Sequence, residues 1–277
     1  MHVGILTAPV RKQPLTELIP WAASIGAKAL EVDVTPGAAL DAATTSDETI
    51  AEVKALLQQH DVRISSLACY VQVVGFPRDR TDAAKASIAN AIGLAHKLGV
   101  DTVCTIAGFP EPGKSKAQTI REDLPAAIRP LLELAGEQGV RIALENWFAT
   151  NIQHLEHWRQ VFDVLPEENF GLNFDPSHLD WQGIDVIAAV EEFQSRIFHV
   201  HAKDVSVNLA WLTRVGYNGD GWWRYTLPGY GRIRWGDFIS ALRGIGYDGV
   251  LSVEHEDSSF SPEEGFIKAV KYLNTLV

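Results

Sequence analysis

Short apolar runs alternate with amphipathic stretches along the whole 277-residue chain. This is the pattern of strands buried on both faces and separated by helices. The apolar runs predict eight strands: His2–Leu6, Ala29–Val34, Arg63–Ala68, Asp101–Thr105, Val140–Glu145, Gly171–Asp175, Ile197–His201 and Gly249–Glu254. Helical periodicity runs over Leu15–Ile25, Asp47–His60, Ala83–Leu98, Leu124–Gln138, Ile184–Phe193, Trp235–Ile245 and Pro262–Leu276. Several helices end in a Gly-X-apolar step into the next strand, at Gly26, Gly99, Gly139 and Gly246. Glycine there accepts the left-handed turn that closes a helix.

A βα unit repeated eight times, with no linker between repeats, predicts an α/β fold: a single (β/α)8 TIM barrel spanning residues 1–277. An open doubly wound sheet is the competing topology. One connection is abnormal. The first seven strands begin roughly 26 to 39 residues apart, yet about 52 residues separate Ile197 from Gly249. The surplus, residues 205–234, carries Trp211, Tyr217, Trp222, Trp223, Tyr225 and Tyr230 together with Arg214, Arg224 and Arg232. An aromatic-rich βα loop at a barrel mouth reads as a substrate lid, and its other use is packing against a second subunit.

The ends of four successive predicted strands carry the candidate chemistry. Glu145 closes VRIALE, Asp175 closes FGLNFD, His201 closes RIFHVH and Glu254 closes GVLSVE. In a barrel, strand C-termini share one bowl, so three carboxylates and an imidazole meet there. That donor set suits one hard divalent cation, Mn²⁺ first, with Mg²⁺ or Co²⁺ as substitutes. A doubly wound sheet has no use for ligands on four consecutive strands. Residues at i and i+2 share a strand face, so His199 lies one layer below His201 as a supporting residue, and Ser252 and Asn173 also turn inward. Glu31 ends the second strand and is placed to orient a histidine. Asp33 and His255 are read as structural, and His60, His96, His154 and His157 as solvated positions on helices.

Composition narrows the partners. The net charge is −11 and no Lys or Arg run is present, which argues against a nucleic-acid partner. No apolar run reaches 18 residues, so no membrane-spanning helix is expected, and the N-terminus does not read as a signal peptide. Only Cys69 and Cys104 are present, which fits a cytoplasmic protein with two small buried thiols.

With these residues in view, the chain resembles the xylose-isomerase-like TIM barrels, specifically the sugar phosphate isomerase/epimerase family. The segments that carry the likeness are ALEN around Glu145, NFDPSHLDWQGID from Asn173, HVHAKD from His199, GYGRIRW from Gly229 and VEHED from Val253. The resemblance implies that Glu145, Asp175, His201 and Glu254 hold one divalent metal and that Glu145 and Glu254 serve as acid and base. It places His178 and Lys203 on the substrate. Trp223 and Arg224 are added from the lid, since both sit in the insertion. It also implies a homodimer or homotetramer.

The function expected is a divalent-metal-dependent sugar isomerase or epimerase, working on a ketose or keto-sugar through an enediolate held by the metal. The alternative on the same scaffold is an epimerase, dehydratase or lyase of 3-keto-glycosides or keto-inositols. A remote alternative is an endonuclease IV-like DNA repair enzyme, which needs three zinc ions and extra histidines at earlier strand ends. Here the third strand runs into Ala68-Cys69-Tyr70 and the fourth into Cys104-Thr105-Ile106, without a histidine. A non-catalytic sugar-binding or assembly subunit is the last option. The aromatic insertion, with no cluster of basic residues, favours an unphosphorylated sugar.

Overall fold

Runs such as TVCTI and FGLNF place few groups that demand water, so both faces of each strand can be buried. A computed structural model describes residues 1–277. Its strands are β1 (His2–Leu6), β2 (Ala29–Asp33), β3 (Arg63–Ala68), β4 (Thr102–Ile106), β5 (Arg141–Glu145), β6 (Phe170–Phe174), β7 (Ile197–Ala202), β8 (Asp204–Val207), β9 (Trp223–Thr226) and β10 (Val250–Val253). Eight of them close a parallel barrel in the order β1-β10-β7-β6-β5-β4-β3-β2. The fold is therefore a TIM barrel, and β8 and β9 form a separate two-stranded sheet.

The helices are α1 (Leu15–Ser24), α2 (Asp47–His60), α3 (Arg78–Leu98), α4 (Lys116–Glu122), α5 (Leu124–Glu137), α6 (Leu155–Val164), α7 (Ser177–Asp180), α8 (Val186–Glu192), α9 (Leu209–Val215), α10 (Trp235–Gly244) and α11 (Pro262–Leu273). Their starts are set by polar caps: Ser46 accepts from the Thr49 N–H, Ser115 forms a capping box with Gln118, and Ser261 accepts from Glu264. The four helix-ending glycines all take positive φ, from 69° at Gly139 to 88° at Gly26.

Three expectations shift. Helix α3 begins at Arg78 instead of Ala83, because its first turn, RDRT, is mostly exposed and carries no apolar period. Asp175 and Glu254 fall one residue beyond β6 and β10, at the loop side of the bowl. Of the four histidines expected to be solvated, His96 is exposed, but His157 is buried and stacks on half-buried His154 at 3.7 Å.

The insertion is a hairpin planted on the barrel rim. Strand β8 starts two residues after β7 ends and pairs antiparallel with β9, and α9 spans the gap without a buried residue. Trp222 is buried under it, while Leu209, Trp211 and Tyr217 are exposed. Its return is held by Asp204, which is fully buried. The Asp204 carboxylate accepts from the backbone N–H of Val205, Gly229, Gly231 and Ile233 and from Trp235 Nε1, at 2.8 to 3.3 Å. A Cβ at Gly231 would run into that carboxylate.

Asp204→Ala strips an acceptor from five donors, and each buried donor left unpaired costs about 1–3 kcal/mol. We expect a loss of several kcal/mol in urea unfolding, with protease cleavage first appearing between residues 204 and 235. Uncleaved, unshifted protein would remove Asp204 as the anchor. A second expectation concerns acid. Burial first, then the charges of His154 and Lys116, press the His157 pKa down to about 4. Between pH 6.5 and 4 the unfolded chain binds this proton more readily, so stability falls as pH drops through that window. Buried His199, also lowered to about 4, adds to the slope. His157→Gln should flatten part of it; parallel urea-midpoint curves would show that His157 contributes nothing.

Candidate metal centre and cavity

The barrel brings the four strand-end residues together. One donor atom each from Glu145, Asp175, His201 and Glu254 lies within 4.8 Å of the others. Glu145 ends β5, and its register with Ile106 and Asn173 fixes its height in the barrel. Asp175 is clamped at its backbone by Asn146, whose side chain accepts from the Asp175 N–H at 2.7 Å and donates to its carbonyl at 2.8 Å. Its Oδ1 accepts from the Ser177 N–H, and Oδ2 is left free to face the bowl.

His201 is held from behind. Its Nε2 sits 3.0 Å from Glu31 Oε2 and 3.0 Å from the Tyr70 hydroxyl, which also donates to Glu31. With Nε2 turned to a carboxylate, Nδ1 is the atom presented to the bowl, 2.9 Å from Glu254 Oε2 and 3.7 Å from Glu145 Oε1. His199 lies below, with Nδ1 3.0 Å from Asn173 Oδ1 and Nε2 3.0 Å from Ser65 Oγ. Glu31, His199 and His201 also cluster closely enough for an ion. The donor atoms of that group are taken up by these hydrogen bonds, so the arrangement orients His201.

Three buried atoms in the front cluster have no hydrogen-bond partner: Asp175 Oδ2, His201 Nδ1 and Glu254 Oε2. Buried polar atoms rarely stay unpaired, and these three converge on one point. Lys203 Nζ lies 3.2 Å from Asp175 Oδ2 and 2.7 Å from Glu254 Oε2, but not along a hydrogen-bonding direction. The donor set fits a divalent cation in chemistry and in geometry.

Charge in the bowl is tightly balanced. Burial by itself would push these carboxyls up. For Glu31 the neighbouring imidazoles of His201 and His199 outweigh burial and hold it at about 2. Hydrogen bonds from His178 and His201 hold Glu145 low, and the charges of Lys203 and His201 do so for Glu254. Burial would lower His201, but Glu31, Glu254 and Glu145 drive it well above its usual range. These carboxylates therefore favour the protonated form of His201. Lys203 is fully buried and is likewise held charged by Asp175, Glu254 and Glu256.

A cavity of about 630 Å³ opens over this floor. Glu145, His178, Lys203, Glu254 and Glu256 line its base, and Trp147, Phe148, Trp223 and Tyr225 form an aromatic wall; Tyr70, Gln72 and Ile106 complete it. Trp223 stacks on Trp181 at 4.4 Å and 9°, which fixes its plane. His178 bridges wall and floor, with Nε2 3.1 Å from Glu145 Oε1 and Nδ1 2.7 Å from the Tyr225 hydroxyl. Arg224 does not line the cavity. Its guanidinium pairs with Asp257 at 2.8 Å and latches β9 to the loop after β10, with help from Thr226. A larger groove, about 1010 Å³ between residues 8–14 and the start of α11, has no comparable convergence of ionisable groups.

Sequence reading missed Glu256, Tyr225, Tyr70, Gln72 and Phe148. One of these carried a signal: Tyr225 is two past Trp223 on a strand, so it shares its neighbour's face. For Phe148, in an irregular loop, the chain offers none.

Because His201 must give up its proton to bind a cation, Mn²⁺ uptake at pH 7 should release about one proton per ion. Calorimetry in buffers of differing ionisation enthalpy reads this directly. Asp175→Asn should weaken uptake by more than the roughly 10–100-fold typical of an outer-shell change. Equal affinity in both proteins would remove Asp175 from the set.

Comparison with known proteins agrees with this architecture. An uncharacterized protein of Bacillus subtilis, YfiH, is 27% identical over all of this chain and 99% of its own length. An inosose dehydratase of Lacticaseibacillus casei is 29% identical over 55% of this chain, and the match spans about half, 53%, of that enzyme. Two solved structures share the fold at low identity. The IOLI protein with a bound zinc atom has a TM-score of 0.79 at 19% identity, with 99% of this chain and 97% of that one covered. The 3-keto-D-glucoside 4-epimerase YcjR of E. coli has a TM-score of 0.79 at 17% identity, with 99% of each covered. The sequence profile of the xylose isomerase-like TIM barrel family matches residues 19–276, and the chain belongs to that family.

Proposed function

We propose that the protein is a divalent-metal-dependent isomerase or epimerase of a small ketose or keto-sugar. The observation that carries this reading is the convergence of Asp175 Oδ2, His201 Nδ1 and Glu254 Oε2, unpaired and buried, beneath an aromatic-walled cavity. Glu145, Asp175, His201 and Glu254 would hold the ion. A bound divalent cation supplies Lewis acidity toward a substrate carbonyl and lowers the cost of the enediolate charge. The donor set favours Mn²⁺, with Mg²⁺ or Co²⁺ as alternatives. Zinc, found in the IOLI protein, is the competitor to test.

The remaining work falls to side chains. Glu145 ends β5 and Glu254 follows β10, so one can take a proton from the carbon beside the carbonyl and the other can return one. His178 Nε2 and Lys203 Nζ project at the same floor and can hydrogen-bond substrate oxygens. Trp223 and Trp147 offer flat apolar faces to the C–H side of a sugar ring. Exposed Leu209, Trp211 and Tyr217 on the lid support a homodimer or homotetramer formed at the mouth. Cytoplasmic location and an uncharged substrate belong to the same proposal.

A second reading, dehydration of a keto-inositol or related keto-sugar, is favoured by one contact and one comparison. Lys203 Nζ and His178 Nε2 lie 3.4 Å apart over the cavity floor, a placement that can protonate a departing hydroxyl. The relatives include inosose dehydratases. Elimination begins with the same proton removal, so the two readings share their first step.

Solvent deuterium wash-in separates them. Mn²⁺-loaded protein in D₂O, given ketohexoses, 3-keto-glucosides and inososes, should exchange the hydrogen beside the carbonyl. Retained mass apart from deuterium means isomerisation or epimerisation, and loss of water means dehydration. Glu145→Gln and Glu254→Gln should each slow exchange by about 10²–10⁴-fold. Near-normal turnover in both, with metal retained, would overturn the acid–base assignment.

A further inference from the structure

Helix α7, which carries His178, has only four residues, and part of its hold comes from the outer layer of helices. Gln182 follows α7 in a turn and folds back over it. Its Nε2 donates to the His178 carbonyl at 2.6 Å and to the Gln153 carbonyl at 3.3 Å. Gln182 Oε1 accepts from Gln153 Nε2 at 3.0 Å. Gln153 Oε1 accepts in turn from Lys116 Nζ at 2.9 Å, and Lys116 is the first residue of α4. The same Nζ donates to the Phe148 carbonyl at 2.7 Å.

These groups form one chain, and its direction is fixed from one end. A glutamine amide can turn over and exchange its oxygen for its NH₂, so by itself it sets no direction. An ammonium can only donate. Burial lowers the Lys116 pKa, but only to about 8, above neutral pH. Gln153 must therefore present its oxygen to Lys116, which turns its NH₂ to Gln182. Gln182 must answer with its oxygen, and its own NH₂ is left for the His178 carbonyl.

Both ends of the chain bear on the cavity, which Phe148 and His178 line. The Phe148 ring packs on His178, Trp181 and Trp223 at centroid distances of 5.0 to 6.0 Å. Lys116 is half-buried, yet the two oxygens that receive its Nζ are uncharged. Holding a charge there is costly. An apolar side chain would lack that cost; what the cation adds is a direction.

We infer that Lys116 is a positioning residue: from the outer layer it sets the polarity of the chain through Gln153 and Gln182 that seats His178, and it pins the Phe148 wall with the same Nζ. Its effect on turnover rests on the function proposed above, but the chain can be measured without a substrate.

Amide hydrogen exchange, read by mass spectrometry on peptic fragments, tests it in two variants. Gln153→Glu separates polarity from mere tethering. A carboxylate binds Lys116 more strongly than an amide does, so a simple tether would tighten. It cannot donate to Gln182, however, whose amide is then free to turn over and release the His178 carbonyl. Exchange over residues 177–184 should rise about tenfold, with residues 147–152 unchanged. Lys116→Met should speed both segments, and neither variant should alter β5 or β6. For a substrate found by wash-in, Gln153→Glu should lower kcat by about 10–100-fold with KM within about threefold, because His178 also holds Glu145. Lys116→Met should raise KM as well, through the loosened wall.

Unchanged or slower exchange over 177–184 in Gln153→Glu overturns the inference, and so does acceleration shared equally by β5 and β6. Faster exchange with an unchanged kcat overturns the positioning role. If no sugar is turned over but the exchange pattern appears as expected, the reaction assignment has failed and the inferred chain stands.

Discussion

Four carboxylates, Glu31, Glu145, Asp175 and Glu254, are packed into one end of the barrel, and their mutual repulsion has to be cancelled there. Two groups oppose it in the protein: His201, whose protonated form Glu31 and Glu254 favour, and Lys203 between Asp175, Glu254 and Glu256. The cancellation is incomplete, since three donor atoms still lack hydrogen-bond partners. A buried charge set of this kind is costly to fold unless each group is paired, and it is stabilised most by a ligand of higher charge than a proton. The barrel supplies the rigidity that such a set requires, because Glu31 stands within β2 and Glu145, Asp175, His201 and Glu254 stand at or next to the ends of strands tied to neighbours on both sides.

That dependence explains which parts were legible in the sequence. The eight strands could be read because parallel strands buried on two faces must be apolar throughout, and Glu145, Asp175, His201 and Glu254 stood out as charged residues at the ends of such runs. Their meeting within 4.8 Å follows from barrel closure, which the strand count predicted. The floor was less legible where its residues lie past the regular strand. Glu256 follows β10 in a segment without alternation, and Phe148 enters from a loop whose path depends on its packing against Trp147, Trp181 and Trp223.

Arg224 shows the opposite limit. In the sequence it stands in an aromatic insertion beside Trp223 and reads as a substrate contact, but strand alternation turns neighbouring residues to opposite faces. Once Trp223 and Tyr225 face the cavity, Arg224 must face away, and Asp257 receives it. The insertion itself was visible in its length and aromatic content; its hairpin register, which decides which aromatics point inward, was not. His157 misled for a related reason: a histidine on a helix looks solvated unless the packing of α4 against α6 is known.

The same pairings bear on the substrate in the proposed function. Lys203 and His178 are the cationic or potentially cationic groups on the cavity lining, and Lys203 is already surrounded by three carboxylates. Arg224 is committed to Asp257, outside the lining. A phosphate brought to this wall would meet Glu256 and Glu254 with no guanidinium on the cavity lining to offset them, and binding of an anion there would be opposed at short range. A neutral polyol meets no such cost. Its hydroxyls can use the carboxylates as acceptors, and its C–H face can lie on Trp223 and Trp147. Under the proposed function, the aromatic wall and the acidic floor would favour the same ligand, an uncharged cyclic or open-chain sugar with its carbonyl end toward the cluster of Glu145, Asp175, His201 and Glu254.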